Sequence, residues 1–489
     1  MVHLSPELSP NPSLRLPPAP RPVPPPAPGA PAALARLGVV LAATLLAGCA
    51  SVGIDDAVRD SNARAQAFTG GKLELARTQA QRDRRAALSD ELLARPLSQD
   101  DAVQLALANS PAVQSLVARS AVDLAAAAQL GRLPNPVFAF ERLRLGDELE
   151  LGRLLSFGLV DLLLLPQRRA LSESASDRAR LQLTDAVVAQ VTGVRQAWVR
   201  AVAAQQSLGY AVQVNESATA SAELARRMQE AGNFSRLQHA RQQVFQADAT
   251  TQLALAMHAA AARREELVRA LGLDDAQAAT LRLPERLAEL PASPRDAGEI
   301  AATATAERLD VQIARARLDA AGRSQGLNLL STFTAVQAGV RRDTLFNGVD
   351  GVAGPTRTRR GFELDIRLPL FDWGDARRDA LDAQSLAAAN GYDATVRAAA
   401  SQLREGYSAY RSAYDVARHQ RDEVVPLRRA MADENLLRYN AMLIGVFELL
   451  ADARDQVASV NRAIEAQREF WLADAALAAS VMGRPITTE

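Results

Sequence analysis

The sequence has few aromatic residues: they make up 4% of its 489 residues, although 48% of the chain is hydrophobic. That combination favours helices rich in alanine, leucine and valine over a compact aromatic core. Lysine plus arginine and aspartate plus glutamate number 56 each, so no net charge attracts the chain to nucleic acid. We therefore expect no nucleic-acid partner.

Cysteine and histidine are also scarce. The single cysteine, Cys49, cannot form a disulfide within the chain. The four histidines stand far apart and never occur at the spacing of a metal site. The sequence shows no Ser/His/Asp arrangement and no phosphate-binding loop. We therefore expect no catalytic residue, no metal and no cofactor, and we predict that the chain is not an enzyme.

Residues 1–48 are predicted to be a leader and signal peptide. Residues 4–31 are rich in proline, which lacks a donor and blocks helix propagation. The apolar run Leu37–Ala47 then follows Arg36, as in a secretory signal, and is too short to span a bilayer as a helix.

The end of this segment, Leu46-Ala47-Gly48-Cys49, resembles the bacterial lipobox. The resemblance implies that the Cys49 thiol receives a diacylglyceryl group and that Cys49 becomes the first mature residue. Ala50 follows instead of an aspartate, which favours delivery to the outer membrane. The alternative is an uncleaved anchor with a buried cysteine.

Long stretches without helix breakers predict long helices. Residues 168–230 contain no proline, and residues 375–440 contain one proline, Pro426. At about 1.5 Å per residue, each would reach roughly 90 Å, which implies coiled-coil packing. A shorter helical pattern runs from Ser98, a candidate N-cap, to Gly131.

Two ungapped repeats indicate that the chain is duplicated. Gly232–Gln243 matches Gly445–Gln456 in Gly, Phe, Leu, Ala, Arg and Gln, and residues 113–119 are echoed at 311–317. The repeating unit is predicted to be a shorter helix, two strands and a long helical hairpin. The predicted segments are the leader 1–48, a linker 49–96, a first repeat 97–295, a second repeat 296–483 and a tail 484–489.

The strands are predicted from alternating polarity. Phe362–Leu370 alternates most clearly, so Leu364 and Ile366 are expected to face lipid, and Glu363, Asp365 and Arg367 the lumen of a membrane barrel. The other predicted strands are Val137–Leu145, Leu149–Leu159 and Ser331–Val340. A soluble amphipathic sheet is the alternative. Four strands leave open edges, which lipid does not tolerate, so closure requires several copies.

Further stretches resemble TolC-type outer-membrane efflux proteins. They are Leu97–Ala102 with Ala108–Pro111, Leu133–Pro136, Leu368–Gly374 with Arg377-Arg378, and the two hairpin-tip stretches. The resemblance covers 97–483. It implies a mainly α fold with a β-barrel portion: a homotrimer with a 12-stranded outer-membrane barrel, continued by a periplasmic helical tunnel. Such a protein is a passive conduit that works with a periplasmic adaptor and an inner-membrane pump, and its barrel contacts outer-membrane lipid.

The resemblance also implies site residues. A constriction of acidic residues is expected just inside the second hairpin tip, where Glu448 and Asp452 share a helical face at i,i+4 spacing. A solvated outer face is the alternative. His239 occupies the repeat position of Asp452. Adaptor docking is expected at the tips, whose residues are Gly232, Phe234, Gly445 and Phe447. Gly232 and Gly445 are predicted to supply the permissive backbone of the two helix-to-helix turns.

Two alternative functions remain open from the sequence. A periplasmic adaptor-like lipoprotein also combines a lipid anchor with a helical hairpin, but the hairpin is predicted twice here. A type I protein-secretion channel in the outer membrane would have the same fold, and the sequence does not identify the transported substrate.

Overall fold

The computed structural model describes residues 53–146, 148–300, 308–331, 336–349, 352–368, 370–371 and 373–484. The leader, Cys49 and residues 485–489 lie outside this part of the chain. Within it, no helix combines the length and the apolar character needed to cross a membrane.

The segment predicted as a linker contains two helices, α1 (Ile54–Thr69) and α2 (Gln79–Leu93). Helix α1 buries Ala57, Val58 and Phe68 in the main hydrophobic core. The Asn62 amide exchanges two hydrogen bonds, of 2.9 and 2.8 Å, with the backbone of Leu73, which fixes the chain between the helices. This segment is therefore a packed part of the fold.

The helical pattern after Ser98 divides into α3 (Gln99–Asn109) and α4 (Pro111–Leu130). As predicted, Ser98 is an N-cap, and its hydroxyl accepts a 3.1 Å hydrogen bond from the Asp101 amide. The sequence predicted one helix, whereas the structure has a break at Ser110, whose ψ is 121°. The break follows from Pro111, because the residue before a proline is disfavoured in the α region.

A single antiparallel sheet connects the helical parts of the two repeats. Its strands are β1 (Val137–Leu145), β2 (Glu148–Gly158), β3 (Val336–Val349), β4 (Val352–Ala353) and β5 (Arg357–Ile366). The main order is β1-β2-β3-β5, and the two-residue β4 pairs with the end of β3. Strands β2 and β3 come from different repeats, so this pairing joins the two halves of the chain.

The prediction of β1 is confirmed at both ends, whereas β3 and β5 are shifted along the sequence. Ser331 belongs to a helix, so β3 starts at Val336 and not at Ser331. Strand β5 starts at Arg357, five residues before the predicted strand, because its pairing with β3 extends to Leu345. Arg367 lies one residue beyond the end of β5.

The remaining helices form two long hairpins and their connections. They are α5 (Leu159–Leu163), α6 (Leu165–Glu230), α7 (Arg236–Leu271), α8 (Asp275–Thr280), α9 (Leu309–Ser331), α10 (Asp375–His419), α11 (Val425–Asn440) and α12 (Val446–Val481). A π turn, Gln420–Val424, joins α10 to α11 without a break just before Pro426, which has no backbone N–H to donate.

Corresponding arms of the two hairpins have the same number of residues. Helix α6 has 66 residues, and the continuous run Asp375–Asn440 spans the same number. The returning helices, α7 and α12, have 36 residues each. The predicted duplication of a long hairpin is therefore present in the structure.

The helices pack through two apolar clusters. The main cluster lies among α1, α3, α4 and α6 and includes Trp198, whose indole N–H donates a 2.8 Å hydrogen bond to the Leu97 carbonyl. The second cluster places Phe470 of α12 against Tyr410 and Tyr414 of α10, with ring centroids 5.5 and 5.7 Å apart. The second cluster thus joins α10 to α12, the two arms of the second hairpin.

Candidate functional site

The two faces of the sheet differ in chemistry. Directly paired residues of an antiparallel sheet lie on the same face, so the continuous register assigns every strand residue to one side. One side, here called the apolar face, presents Phe138, Phe140, Leu155, Phe157, Val340, Phe362, Leu364 and Ile366. All eight side chains are exposed, and Phe362 is 89% exposed. A continuous surface of large apolar side chains indicates contact with another protein or with a membrane.

The other side, here called the polar face, carries an ion-pair network. Arg341 contacts Glu141 and Asp343 at 3.0 Å each. Arg359 contacts Glu150 at 2.7 Å and Asp343 at 3.0 Å. Asp343 is buried between the two guanidinium groups, and a buried charge is tolerated when it is paired in this way.

The predicted lumen residues divide between this face and the chain beyond it. Glu363 lies on the polar face, 3.8 Å from Arg341, and Asp365 is paired with Gln337 on the same face. Arg367 follows Ile366, the last residue of β5, so its lumenal position stays a prediction. Leu364 and Ile366 lie on the apolar face, opposite Ala338 and Val336.

Both edges of the sheet are open within the part of the chain that the structure describes. Strand β1 pairs only with β2 on one side, and β5 pairs only with β3. Each edge therefore presents unpaired backbone N–H and C=O groups, which can extend the sheet into another chain.

The first hairpin tip is a Schellman motif around Gly232, whose φ is 81°. The Asn233 amide donates to the Met228 carbonyl at 2.8 Å, and the Gly232 amide donates to Gln229 at 2.9 Å. Ser235 then caps α7 through a capping box with Gln238. The predicted role of Gly232 as a permissive turn residue is confirmed.

The second tip has the same hydrogen bonds but a different residue at the turn. Leu443 donates to Arg438 at 2.8 Å and Met442 to Tyr439 at 2.9 Å, and Met442 has a φ of 60°. Gly445 is the N-cap of α12 with φ −84°, a conformation open to any residue. The prediction that Gly445 supplies the permissive backbone of the turn is therefore wrong, because Met442 occupies that position.

The structural repeat is thus displaced by three residues from the sequence match at the tips. Met442 corresponds to Gly232, and Gly445 corresponds to Ser235. The identities in Gly, Phe, Leu, Ala, Arg and Gln occur only in the sequence alignment, and in the structural alignment the same turn and N-cap positions carry different residues. The residue that corresponds to Asp452 is Gln242, which is buried, and not His239.

The predicted acidic residues lie near the start of α12. Glu448 is in its first turn and exposed, and Asp452 follows one turn later and is half-buried. One Asp452 carboxylate oxygen is shielded from solvent and finds no hydrogen-bond partner within the described part of the chain. Burial of an unpaired carboxylate oxygen is costly, which marks Asp452 as a position that needs a further contact.

Arg454 does not neutralise these acids. Its guanidinium lies over the Phe245 ring, 4.6 Å from the centroid, and donates to the Arg241 carbonyl at 3.4 Å. It therefore joins α12 to α7, so the two hairpins touch near their tips. Phe234 lies in the first tip at intermediate exposure, and the side chain of Phe447 is outside the described residues.

Acidic groups at the first tip are paired. Glu230 accepts a 2.6 Å hydrogen bond from Arg226, and hydrogen bonds from Arg226 and Arg227 lower the pKa of Glu223 to about 2. Sequence reasoning missed this cluster and the ion-pair network of the polar face. The network's central residues follow Val340, where the predicted strand ended too early.

Comparison with known proteins identifies the fold. No family model matches the sequence, and no curated protein sequence is similar to it. Among solved structures, a membrane protein from Pseudomonas aeruginosa has a TM-score of 0.63 at 19% identity, covering 81% of this chain and 93% of that one. The outer membrane protein VceC from Vibrio cholerae has a TM-score of 0.64 at 13% identity, covering 81% and 96%.

The open state of the MtrE outer membrane channel from Neisseria gonorrhoeae is also similar, with a TM-score of 0.60 at 18% identity, covering 82% of this chain and 89% of that one. The chain therefore has the fold of outer-membrane channels. The predicted fold class, mainly helical with a smaller β portion, is confirmed.

Proposed function

We propose that this chain is the outer-membrane channel subunit of a tripartite export system, of the TolC type. Three copies form a 12-stranded barrel continued by a periplasmic helical tunnel, which conducts solutes passively from an inner-membrane pump and its adaptor to the exterior. The protein is not an enzyme, and Cys49 carries its lipid anchor. The observation that carries the proposal is an open-edged sheet with one exposed apolar face, connected to two helical hairpins of equal length.

The sheet supports a barrel of several chains. A bilayer covers the apolar face, whereas the ion pairs of the polar face suit a wet lumen. Open edges are not tolerated in lipid, so β1 of one copy must pair with β5 of the next. Four long strands per chain give 12 strands in a trimer.

The hairpins support the same assembly. Large apolar side chains are exposed along both of them, including Leu224, Leu255, Leu386 and Leu427. Such residues on long helices are covered when neighbouring hairpins pack side by side. A closed ring of hairpins from three copies supplies these neighbours and encloses a tunnel.

The hairpin tips are the proposed site of adaptor docking, with Gly232, Phe234, Gly445 and Phe447 as its predicted residues. In the second tip, Met442 and Leu443 are strongly exposed and extend this surface. Apolar groups at a turn favour contact with a protein partner over contact with water. Adaptor binding opens the channel only if the adaptor prefers the open state.

The proposed function is tested with the purified full chain in planar bilayers, after its mass in detergent has been measured. We expect a trimer that forms stable ion-conducting pores without added nucleotide. The variant Ile366→Arg, which places a charge on the apolar face, should insert less readily than the wild-type protein. A monomer that leaves the bilayer conductance unchanged would contradict the proposal.

The constriction is tested separately, because the channel could exist with its narrow point elsewhere. Three copies each of Glu448 and Asp452 concentrate negative potential at a narrow opening, which favours cations. Glu448→Gln with Asp452→Asn should therefore lower cation selectivity and weaken block by multivalent cations. The matched control, Asp90→Asn with Glu91→Gln on α2, should change neither property. Unchanged selectivity in the first variant, with the trimer intact, would place the constriction elsewhere.

A further inference from the structure

Three arginines lie side by side on the apolar face of the sheet. Arg153 of β2 is paired with Arg342 of β3, which is paired with Arg360 of β5. These three residues are called the arginine row. Arg142 of β1 lies on the same face one step further, opposite Leu151.

The arginine row has no acidic neighbour on its own face. Every aspartate and glutamate in the described strands lies on the polar face: Glu141, Glu148, Glu150, Asp343, Glu363 and Asp365. Arg341 and Arg359, one position along the same strands, are both ion-paired there. Like charges directly opposite each other destabilise a sheet, so the row requires an anion from outside the chain.

The position of the row indicates where that anion comes from. Phe362, Val340, Leu155 and Phe138 form the adjacent row on the side of the helices, and the apolar face continues from there to Ile366. From Ile366 to Arg360 the distance along β5 is about 20 Å at ~3.4 Å per residue. The arginines therefore lie on the side of the strand turns, away from the helices, in one row with Phe140 of β1.

We infer that the arginine row binds the phosphate groups of a phosphorylated lipid in the outer leaflet of the membrane. This inference rests on the proposed function, which places the apolar face in the bilayer and the strand turns outside. The row then lies at headgroup depth. A guanidinium group forms two parallel hydrogen bonds with a phosphate, and arginines in adjacent strands hold more than one phosphate at once.

The test is a lipid titration of the detergent-solubilised trimer, with bound lipids counted by native mass spectrometry. The probes are lipid A with two phosphates, monophosphoryl lipid A, phosphatidylcholine and a polyglutamate peptide. The wild-type protein should bind lipid A with two phosphates at least tenfold more tightly than phosphatidylcholine, with the monophosphoryl form between them. The triple variant Arg153→Gln, Arg342→Gln and Arg360→Gln should bind lipid A at least tenfold more weakly than the wild type. Its affinity for phosphatidylcholine should not change.

A matched control removes three positive charges elsewhere. Arg315→Gln and Arg317→Gln change exposed residues of α9, and Arg357→Gln changes the polar face of β5. This variant should bind lipid A like the wild type. Equal lipid A binding by the arginine-row variant would overturn the inference, as would tighter binding of polyglutamate, which would indicate an acidic protein partner.

Failure of the inference is distinguishable from failure of the proposed function. A trimer that conducts in planar bilayers but shows no preference for phosphorylated lipid refutes the lipid site alone. A chain that neither trimerises nor inserts refutes both, because the arginine row would then not lie in a membrane.

Discussion

At the residue scale, Met442 is the clearest departure from what the turn geometry favours. It adopts a left-handed φ of 60° while its side chain is 93% exposed, so little packing offsets the backbone cost. Replacing it by glycine should remove about 1 kcal/mol of strain. We expect Met442→Gly to increase hydrogen-exchange protection of the Leu443 amide about fivefold, while binding of an adaptor weakens if Met442 belongs to the docking surface.

The first tip supplies the control. A side chain added at Gly232 meets no atom within 4 Å, so the cost of Gly232→Ala comes from the backbone alone. That variant should reduce protection of the Asn233 amide by a similar factor. If neither exchange rate changes, the turn residue does not limit opening of the tip.

Arg308 is a second residue whose contacts predict a large contribution to the free energy of unfolding. It is 1% exposed and contacts Asp310 at 2.8 Å, the Ala399 carbonyl at 3.1 Å and Gln402 at 3.1 Å. Arg308→Ala should lower the free energy of unfolding by about 3–5 kcal/mol, because it removes a buried guanidinium group and leaves the Asp310 carboxylate without its cationic partner. Urea unfolding measures this, and Arg317→Ala on the exposed side of α9 should change it by less than about 0.5 kcal/mol.

At the scale of the elements, we expect the two faces of the sheet to differ in their tolerance of an added charge. Ile366 and Val336 are paired on the apolar face, and Asp365 and Gln337 are paired next to them on the polar face. Ile366→Arg should cost roughly 2–4 kcal/mol of folding free energy in lipid if it lies near the bilayer midplane. Gln337→Arg should be tolerated, since Asp365 lies opposite it.

Folding of both variants into lipid vesicles, followed by urea titration, measures the difference. Equal stability of the two proteins would show that the apolar face is not in contact with lipid.

The long helices could be predicted from the sequence almost to their ends, because proline-free runs with apolar residues every three or four positions admit few other structures. The strands could not be bounded as well. The alternation in Phe362–Leu370 continues past Ile366, which is the last residue paired with β3 among those that the structure describes. Pairing partners decide where a strand ends, and they are distant in sequence.

Individual residues of the candidate site could be predicted from the sequence, but the correspondence between the two hairpin tips could not. Glu363 and Asp365 could be assigned to the polar face because period-two alternation is local. The correspondence of Gly232 with Met442 could not be predicted, because the glycine that matches Gly232 in sequence, Gly445, lies three residues after the turn residue Met442. Backbone hydrogen bonds, not residue identity, define that equivalence.

At the scale of the whole molecule, the proposed lipid anchor should act independently of assembly. The sequence contains no thiol other than Cys49, so Cys49→Ser should abolish incorporation of labelled fatty acid and block signal processing. Trimers should still form if the variant reaches the periplasm, because strand pairing at the sheet edges does not involve the anchor. Labelled fatty acid in the Cys49→Ser protein would contradict this assignment.

The equal arms of the two hairpins constrain how the chain can change in length. Deleting one residue from α6 would shorten that arm by about 1.5 Å and rotate everything beyond the deletion by about 100°. The counterpart arm, Asp375–Asn440, would keep its length, so the two tips would no longer lie at one level or present matching faces. Insertions and deletions are thus expected as paired events, one in each half and close to seven residues long, since seven residues restore the helical face within about 20°. Each repeat thus sets the length of one hairpin, and an insertion or deletion in one repeat is tolerated only with the same change in the other.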